Sequence, residues 1–217
     1  MKLKHIGIIL LSVLPLFVLS CRKKAEFEKP LGLMSRLVKL SSSAGDTPVI
    51  VYSNTDWEAS LTGKVTWAGL DRLSGTGCSQ VRFRYSENYG RARKVGIAFA
   101  AGAVKDTVYM VQAAGQTNPV LQFVSSSVSV PSEGGGLELE LNSNLVYDIK
   151  DAVPQLRYPE GGPDGWLTVE SVALDKVIVN AVSNSSGAGR TADLVLIHTD
   201  GEGDAMSTWV TITQPAL

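Results

Sequence analysis

Two short stretches 102 residues apart limit what this chain can become: Val108-Tyr109-Met110-Val111-Gln112-Ala113-Ala114 and Val210-Thr211-Ile212-Thr213-Gln214-Pro215-Ala216. Both read Val-x-(Met/Ile)-x-Gln-x-Ala, and before the Gln an apolar residue falls at every second position. That is the period of a strand with one buried face. The pair reads as the closing strands of two copies of one β domain.

The rest of the chain aligns on the same plan. Leu31-Gly32-Leu33 matches Leu121-Gln122-Phe123, and Ser53-Asn54-Thr55-Asp56-Trp57 matches Ser143-Asn144-Leu145-Val146-Tyr147, both at an offset of 90. Trp67 then matches Trp166 at 99, so the second copy has gained nine residues in between, and Gly90-Arg91 against Gly189-Arg190 keeps 99. A repeat this long is a whole domain, since solenoid units run roughly 20 to 50 residues.

Each copy reads as a string of short strands. In the first they are Arg36–Leu40, Val49–Ser53, Trp57–Leu61, Gln80–Tyr85, Lys94–Phe99 and Thr107–Gln112. In the second they are Val128–Val130, Leu137–Leu141, Tyr147–Lys150, Val177–Val182, Thr191–His198 and Thr208–Thr213. Gly, Ser, Asn and Asp clusters separate them, and no sustained 3.6-residue period follows residue 21. Evenly spaced short strands with turn residues between them predict an all-β chain of two tandem antiparallel β-sandwich domains. The expected bounds are 31–116 and 119–217, joined by the polar hinge Gln116-Thr117-Asn118-Pro119.

The leader is of another kind. Met1-Lys2-Leu3-Lys4-His5 is basic, and Ile6 to Leu19 is apolar but for Ser12. The run is shorter than the roughly 20 residues a membrane-spanning helix needs, and it fits a signal peptide over 1–20. Val18-Leu19-Ser20-Cys21 resembles the lipobox of bacterial lipoproteins, which implies a Cys21 acylated before cleavage and followed by a linker to residue 30. Such a chain is expected in the cell envelope, at the outer membrane, held to the membrane by lipid. Cys78 would then have no disulfide partner.

Charge and composition exclude several classes. Net charge is −1, and losing Lys2 and Lys4 with the leader makes it −3. Without a Lys/Arg stripe, no nucleic-acid partner is expected. His5 and His198 are the two histidines, and His198 ends the apolar run Leu194-Val195-Leu196-Ile197, where an edge or rim position is expected. A nucleophilic triad needs a base beside the nucleophile and zinc needs several His or Cys ligands, so neither can be assembled. No catalytic residues and no cofactor are therefore expected.

Three remaining features carry chemistry. Glu138 and Glu140 alternate with leucines, which suits a glycosidase pair but equally the solvent face of a half-buried strand. Asp200, Glu202 and Asp204 alternate with glycines and form the best metal candidate, although the rest of a calcium loop is missing. Aromatics are the third. Trp57, Trp67, Trp166 and Tyr147 occupy repeated positions and are expected in or near the core. Arg157 and Tyr158 lie in the nine-residue gain, and Trp209 is out of phase with Val210 and Ile212, facing outward.

These motifs together resemble the BACON domain family: Ser-Asn-x-x-Trp or Tyr, Trp166-Leu167-Thr168-Val169 after a Gly-rich loop, a Gly-Arg pair before a strand, and a closing strand with Gln. The resemblance implies an Ig-like sandwich, an extracellular setting, and binding to carbohydrate or mucin-type glycoprotein. Arg157, Tyr158, Trp166 and Trp209 are the contacts it would use. The alternative is a spacer or assembly protein that docks onto another envelope protein.

Overall fold

The computed structural model describes residues 27–217; the signal-peptide and Cys21 lipidation readings fall outside the described residues. The described chain is built of strands, and its one helical turn is a 3-10 turn at Ile149–Asp151. The first half contributes β1 (Gly32–Leu33), β2 (Leu37–Leu40), β3 (Gly45–Tyr52), β4 (Asp56–Leu61), β5 (Ala68–Leu70), β6 (Ser74–Thr76), β7 (Ser79–Tyr85), β8 (Arg93–Ala101) and β9 (Val104–Gln112). The second contributes β10 (Leu121–Phe123), β11 (Ser127–Ser129), β12 (Gly135–Ser143), β13 (Val153–Arg157), β14 (Leu167–Val172), β15 (Lys176–Ala181), β16 (Arg190–Thr199) and β17 (Ala205–Gln214).

Each half is two facing sheets over its own core. In the first, the order β1-β3-β7-β5 packs on β2-β9-β8-β4-β6, and in the second β10-β12-β15-β14 packs on β11-β17-β16-β13. Alternation decides which side chains go inside. Ile97, Phe99, Val108 and Met110 meet Val51, Val81 and Phe83 in one core, while Leu194, Leu196, Val210 and Ile212 meet Leu141, Val177 and Val179 in the other. One pairing in each half departs from the antiparallel expectation: β2 runs parallel to β9, and β11 parallel to β17. The chain enters on one sheet as β1 or β10 and crosses at once to the other, so it meets the closing strand from the same direction.

The Gln that opened the sequence argument explains why this plan recurs. Gln112 and Gln214 are buried, and each amide donates to three carbonyls: Ser42, Ser43 and Ser86 in the first half, Pro131, Ser132 and Val182 in the second. Each side-chain carbonyl accepts from an arginine, Arg93 Nε at 2.8 Å or Arg190 Nε at 2.7 Å. Those guanidiniums lie 4.3 Å above Trp67 and 4.7 Å above Trp166. One buried amide thus ties the closing strand to two loops, satisfying carbonyls that burial would otherwise leave unpaired.

This arrangement corrects the sequence alignment. The partner of Arg190 is Arg93, not Arg91, so the offset in this region is 97 rather than 99. Asn88 and Asn184 are counterparts as well, at an offset of 96, since each donates to two carbonyls: Arg91 and Ala113 in one half, Ala188 and Pro215 in the other. A second correction concerns Tyr147–Lys150. The chain there makes a turn and the 3-10 turn, and the strand comes later, as β13 paired to β16 just as β4 pairs to β8. Leu145 fills the core instead, and Tyr147 is 57% exposed.

The Ser-Asn pair has a structural role as well. Asn54 Nδ2 donates to the Glu28 carbonyl, and Asn144 Nδ2 donates to that of Asn118, each clamping the segment that enters its half.

Candidate functional site

Two surfaces remain once the cores and their ties are set aside. The first is the outer face of the sheet β11-β17-β16-β13. Register places Gln155, Val195 and Trp209 in one row across it, and Arg157, Asp193 and Thr211 in the next. Trp209 is 64% exposed. Beside it Thr211 Oγ1 donates to Asp193 Oδ1 at 2.7 Å, and Arg157 is exposed on the edge strand. A bare indole next to a row of donors and acceptors can stack on one face of a flat ligand and hydrogen-bond its rim.

Arg157 and Trp209, two of the four expected contacts, thus share one face. The other two do not join them. Trp166 is 2% exposed and belongs to the core, so it cannot touch a ligand directly. Its strand-start position turns it inward beneath Arg190, where the repeated Gln–Arg tie needs a ring. Tyr158 packs against that core, 6.4 Å from the Trp166 ring.

The second surface lies between the two halves and was not legible in the sequence. It is a cleft of about 1060 Å³ whose walls include Lys64, Trp67 and Tyr89 from the first half and Tyr147, Lys150 and Asp151 from the second. Tyr89 and Tyr147 face each other with ring centroids 5.9 Å apart, and both are more than half exposed. The floor is a charged cluster. The Arg91 guanidinium reaches across the boundary to donate to His198 Nδ1 at 2.9 Å, Asp200 Oδ2 at 3.0 Å and the Asp204 carbonyl at 3.0 Å. The Arg91 backbone N–H donates to Asp148 Oδ2 at 2.8 Å, and the Gly201 N–H donates to the Ala92 carbonyl. Gly90 and Gly201 allow this approach: a Cβ on either would fall within 2.5 Å of Asp148 or of the Arg93 backbone.

One expectation is overturned here, and the acidic loop has its oxygens engaged by other partners. His198 is not a rim residue; it is 3% exposed, in phase with the inward-facing Leu194 and Leu196 and in contact with Arg91 of the first half. Its imidazole is held below the ordinary value of 6.5, by burial first and by Arg91 second, while Asp148, Asp151 and Asp200 oppose the shift. The metal candidate is not assembled either. Asp200 Oδ1 accepts the backbone N–H groups of Glu202, Gly203 and Asp204, its other oxygen holds Arg91, and Glu202 pairs with Lys39. Among the described residues no group of three His, Cys, Asp or Glu could hold a metal ion. Glu138, the first half of the carboxylate pair, is bound at 2.9 Å by Lys176 across the sheet.

The strands and their facing sheets define an all-β chain of two β-sandwiches, the second with Trp209 exposed on its outer face. Within it, the second sandwich carries the BACON family match: residues 158–215 match that family, described as a putative binding domain, N-terminal. No curated protein matches the sequence. Among solved structures the chain is similar to a Bacteroides ovatus GH5 xyloglucanase in complex with a XXXG heptasaccharide, at 16% identity and a TM-score of 0.36 over 39% of this chain and 19% of that one. It is similar at 15% identity and a TM-score of 0.32 to an endo-fucoidan hydrolase from glycoside hydrolase family 107, over 89% of this chain and 30% of that one. A third likeness is to the EC1-2 portion of human protocadherin-24, with 9% identity, a TM-score of 0.35, and coverage of 86% and 97%. The chain spans less than a third of either hydrolase.

Proposed function

We propose that this chain is a non-catalytic, lipid-anchored envelope protein that binds carbohydrate or the glycans of a mucin-type glycoprotein on the outer face of its second sandwich. The observation that carries the reading is Trp209, exposed on a flat sheet face with Arg157, Gln155 and Asp193 around it. Sugar rings present apolar C–H faces and a rim of hydroxyls, so they are recognised by an indole for stacking and planar polar side chains for the rim. The BACON match covers β16 and β17, two of the four strands of this sheet, and supports the same reading.

A glycan array and a mucin pull-down test it, repeated with Trp209→Ala and Arg157→Ala. Binding by the wild type that both variants weaken is the expected result; no binding to any glycan ends the proposal. The lipid anchor is tested separately by labelling cells with a radioactive fatty acid, where Cys21→Ala removes the label.

The second reading, docking to another envelope protein, rests on the same row. Val153 is exposed beside Ile197 and Val195, giving that face an apolar strip next to Trp209. Cross-linking in cells through residue 209 separates the readings: a protein adduct supports docking, a glycan-dependent one the first reading.

A further inference from the structure

The cleft floor contains a device for which glycan recognition on the outer face has no use. Arg91 is the centre of it. Its side chain is 9% exposed and that of Asp200 is 7% exposed, and the four acceptors around the guanidinium, His198 Nδ1, the His198 and Asp204 carbonyls and Asp200 Oδ2, all belong to the other sandwich. One of them, His198 Nδ1, can accept only while the imidazole is neutral. The cation is therefore held by a group that a single proton would convert from acceptor into a second cation.

We propose that Arg91 and His198 form an acid-released latch that holds the two sandwiches together and sets the width of the cleft. When His198 takes a proton, Nδ1 loses its lone pair and two positive charges face each other at a largely buried site on the cleft floor. Arg91 is then expelled, and the contacts of Asp148 and Gly201 with the 91–92 backbone go with it. The groups facing His198 are Arg91 from the first sandwich, Asp148 and Asp151 from the turn before β13, and Asp200 from its own hairpin. The three carboxylates soften the repulsion, and Arg91 Nη1 keeps only the longer bond to the His198 carbonyl, at 3.3 Å. A place to bend exists in the linker, where Asn118 has a φ of 56° and the chain between β9 and β10 forms no strand.

The direction with pH follows from the sign of the shift. The imidazole titrates below 6.5 when the latch is closed and nearer 6.5 when it is open. The closed form is complete above that value and is lost as pH falls through the lowered one.

Two spin labels read the cleft directly. In a chain carrying Cys21→Ser and Cys78→Ser, Lys64→Cys and Lys150→Cys place labels on opposite walls. Distances are measured at about pH 7.5 and about pH 5. Expected is a narrow distribution at the higher pH that shifts to longer, broader distances at the lower. His198→Gln keeps an acceptor and cannot be protonated, so it stays narrow at both; Arg91→Ala is broad at both. The proposal is overturned if the wild-type distribution does not change, if His198→Gln opens with acid as the wild type does, or if acid abolishes the sheet signal in circular dichroism instead of moving intact sandwiches.

Discussion

The same three positions of the same sheet read Ser60, Ala98, Thr107 in the first sandwich and Gln155, Val195, Trp209 in the second. Beneath them the two cores are tied by the same amide, arginine and ring. On the first face the nearest ring, Tyr109, lies under Lys94 at 4.5 Å; on the second, Trp209 is bare. The loop before β8 differs in the same manner. Arg91 plugs into the neighbouring sandwich, whereas its counterpart Ala188 is exposed. What is shared between the copies is scaffold, and what differs lies on the outer face or at the boundary between the sandwiches.

That division can be broken or sharpened by substitution. The largest effect is expected inside the second core: Trp166→Ala costs about 4 kcal/mol in urea unfolding, and Trp67→Ala, at a half-buried site, roughly half of that. Equal losses would show that the two rings are more alike in burial than the structure has them. Next, Arg91→Ala leaves Asp200 buried without its cation and costs about 3 kcal/mol, while Ala188→Arg changes stability by less than about 0.5 kcal/mol. Calorimetry adds a qualitative sign: one joint transition is expected for the wild type and two separate ones for Arg91→Ala. Gln112→Ala and Gln214→Ala then cost about 2 kcal/mol each, because both strand three carbonyls and an arginine. A large inequality between them would break the claim of a common scaffold.

Much of this was legible in the sequence, because alternation reports directly which side of a strand is buried. The closing strands, the two cores and the outward turn of Trp209 all follow from period two. The family motifs were visible too, although their meaning needed coordinates: Ser-Asn is a clamp on the entering chain, and Gln is a tie to two loops. Loop register was the weak point. Gly90-Arg91 and Gly189-Arg190 match as letters, but the copies differ in loop length before the arginine that caps the ring, and only its hydrogen bonds identify the true counterpart. Contact with another domain was hidden for a different reason. His198 ends its own apolar strand, and nothing local says that Arg91, 107 residues earlier, will meet it. The signal that was available is the break in the repeat itself, since Tyr89 and Arg91 have Ser185 and Ala188 as counterparts.

The smallest effect on stability is expected at the position on which the proposed function depends most. Trp209→Thr restores the residue found at the equivalent place in the first sandwich and alters unfolding by less than about 0.5 kcal/mol. Titration of wild type and Trp209→Thr with the strongest glycan from the array, by isothermal calorimetry, decides the matter. A loss of tenfold or more in affinity, about 1.4 kcal/mol, with an unchanged melting temperature is the predicted result. Equal affinity in the two proteins would contradict the account, because the face that differs between the copies would then play no part in binding.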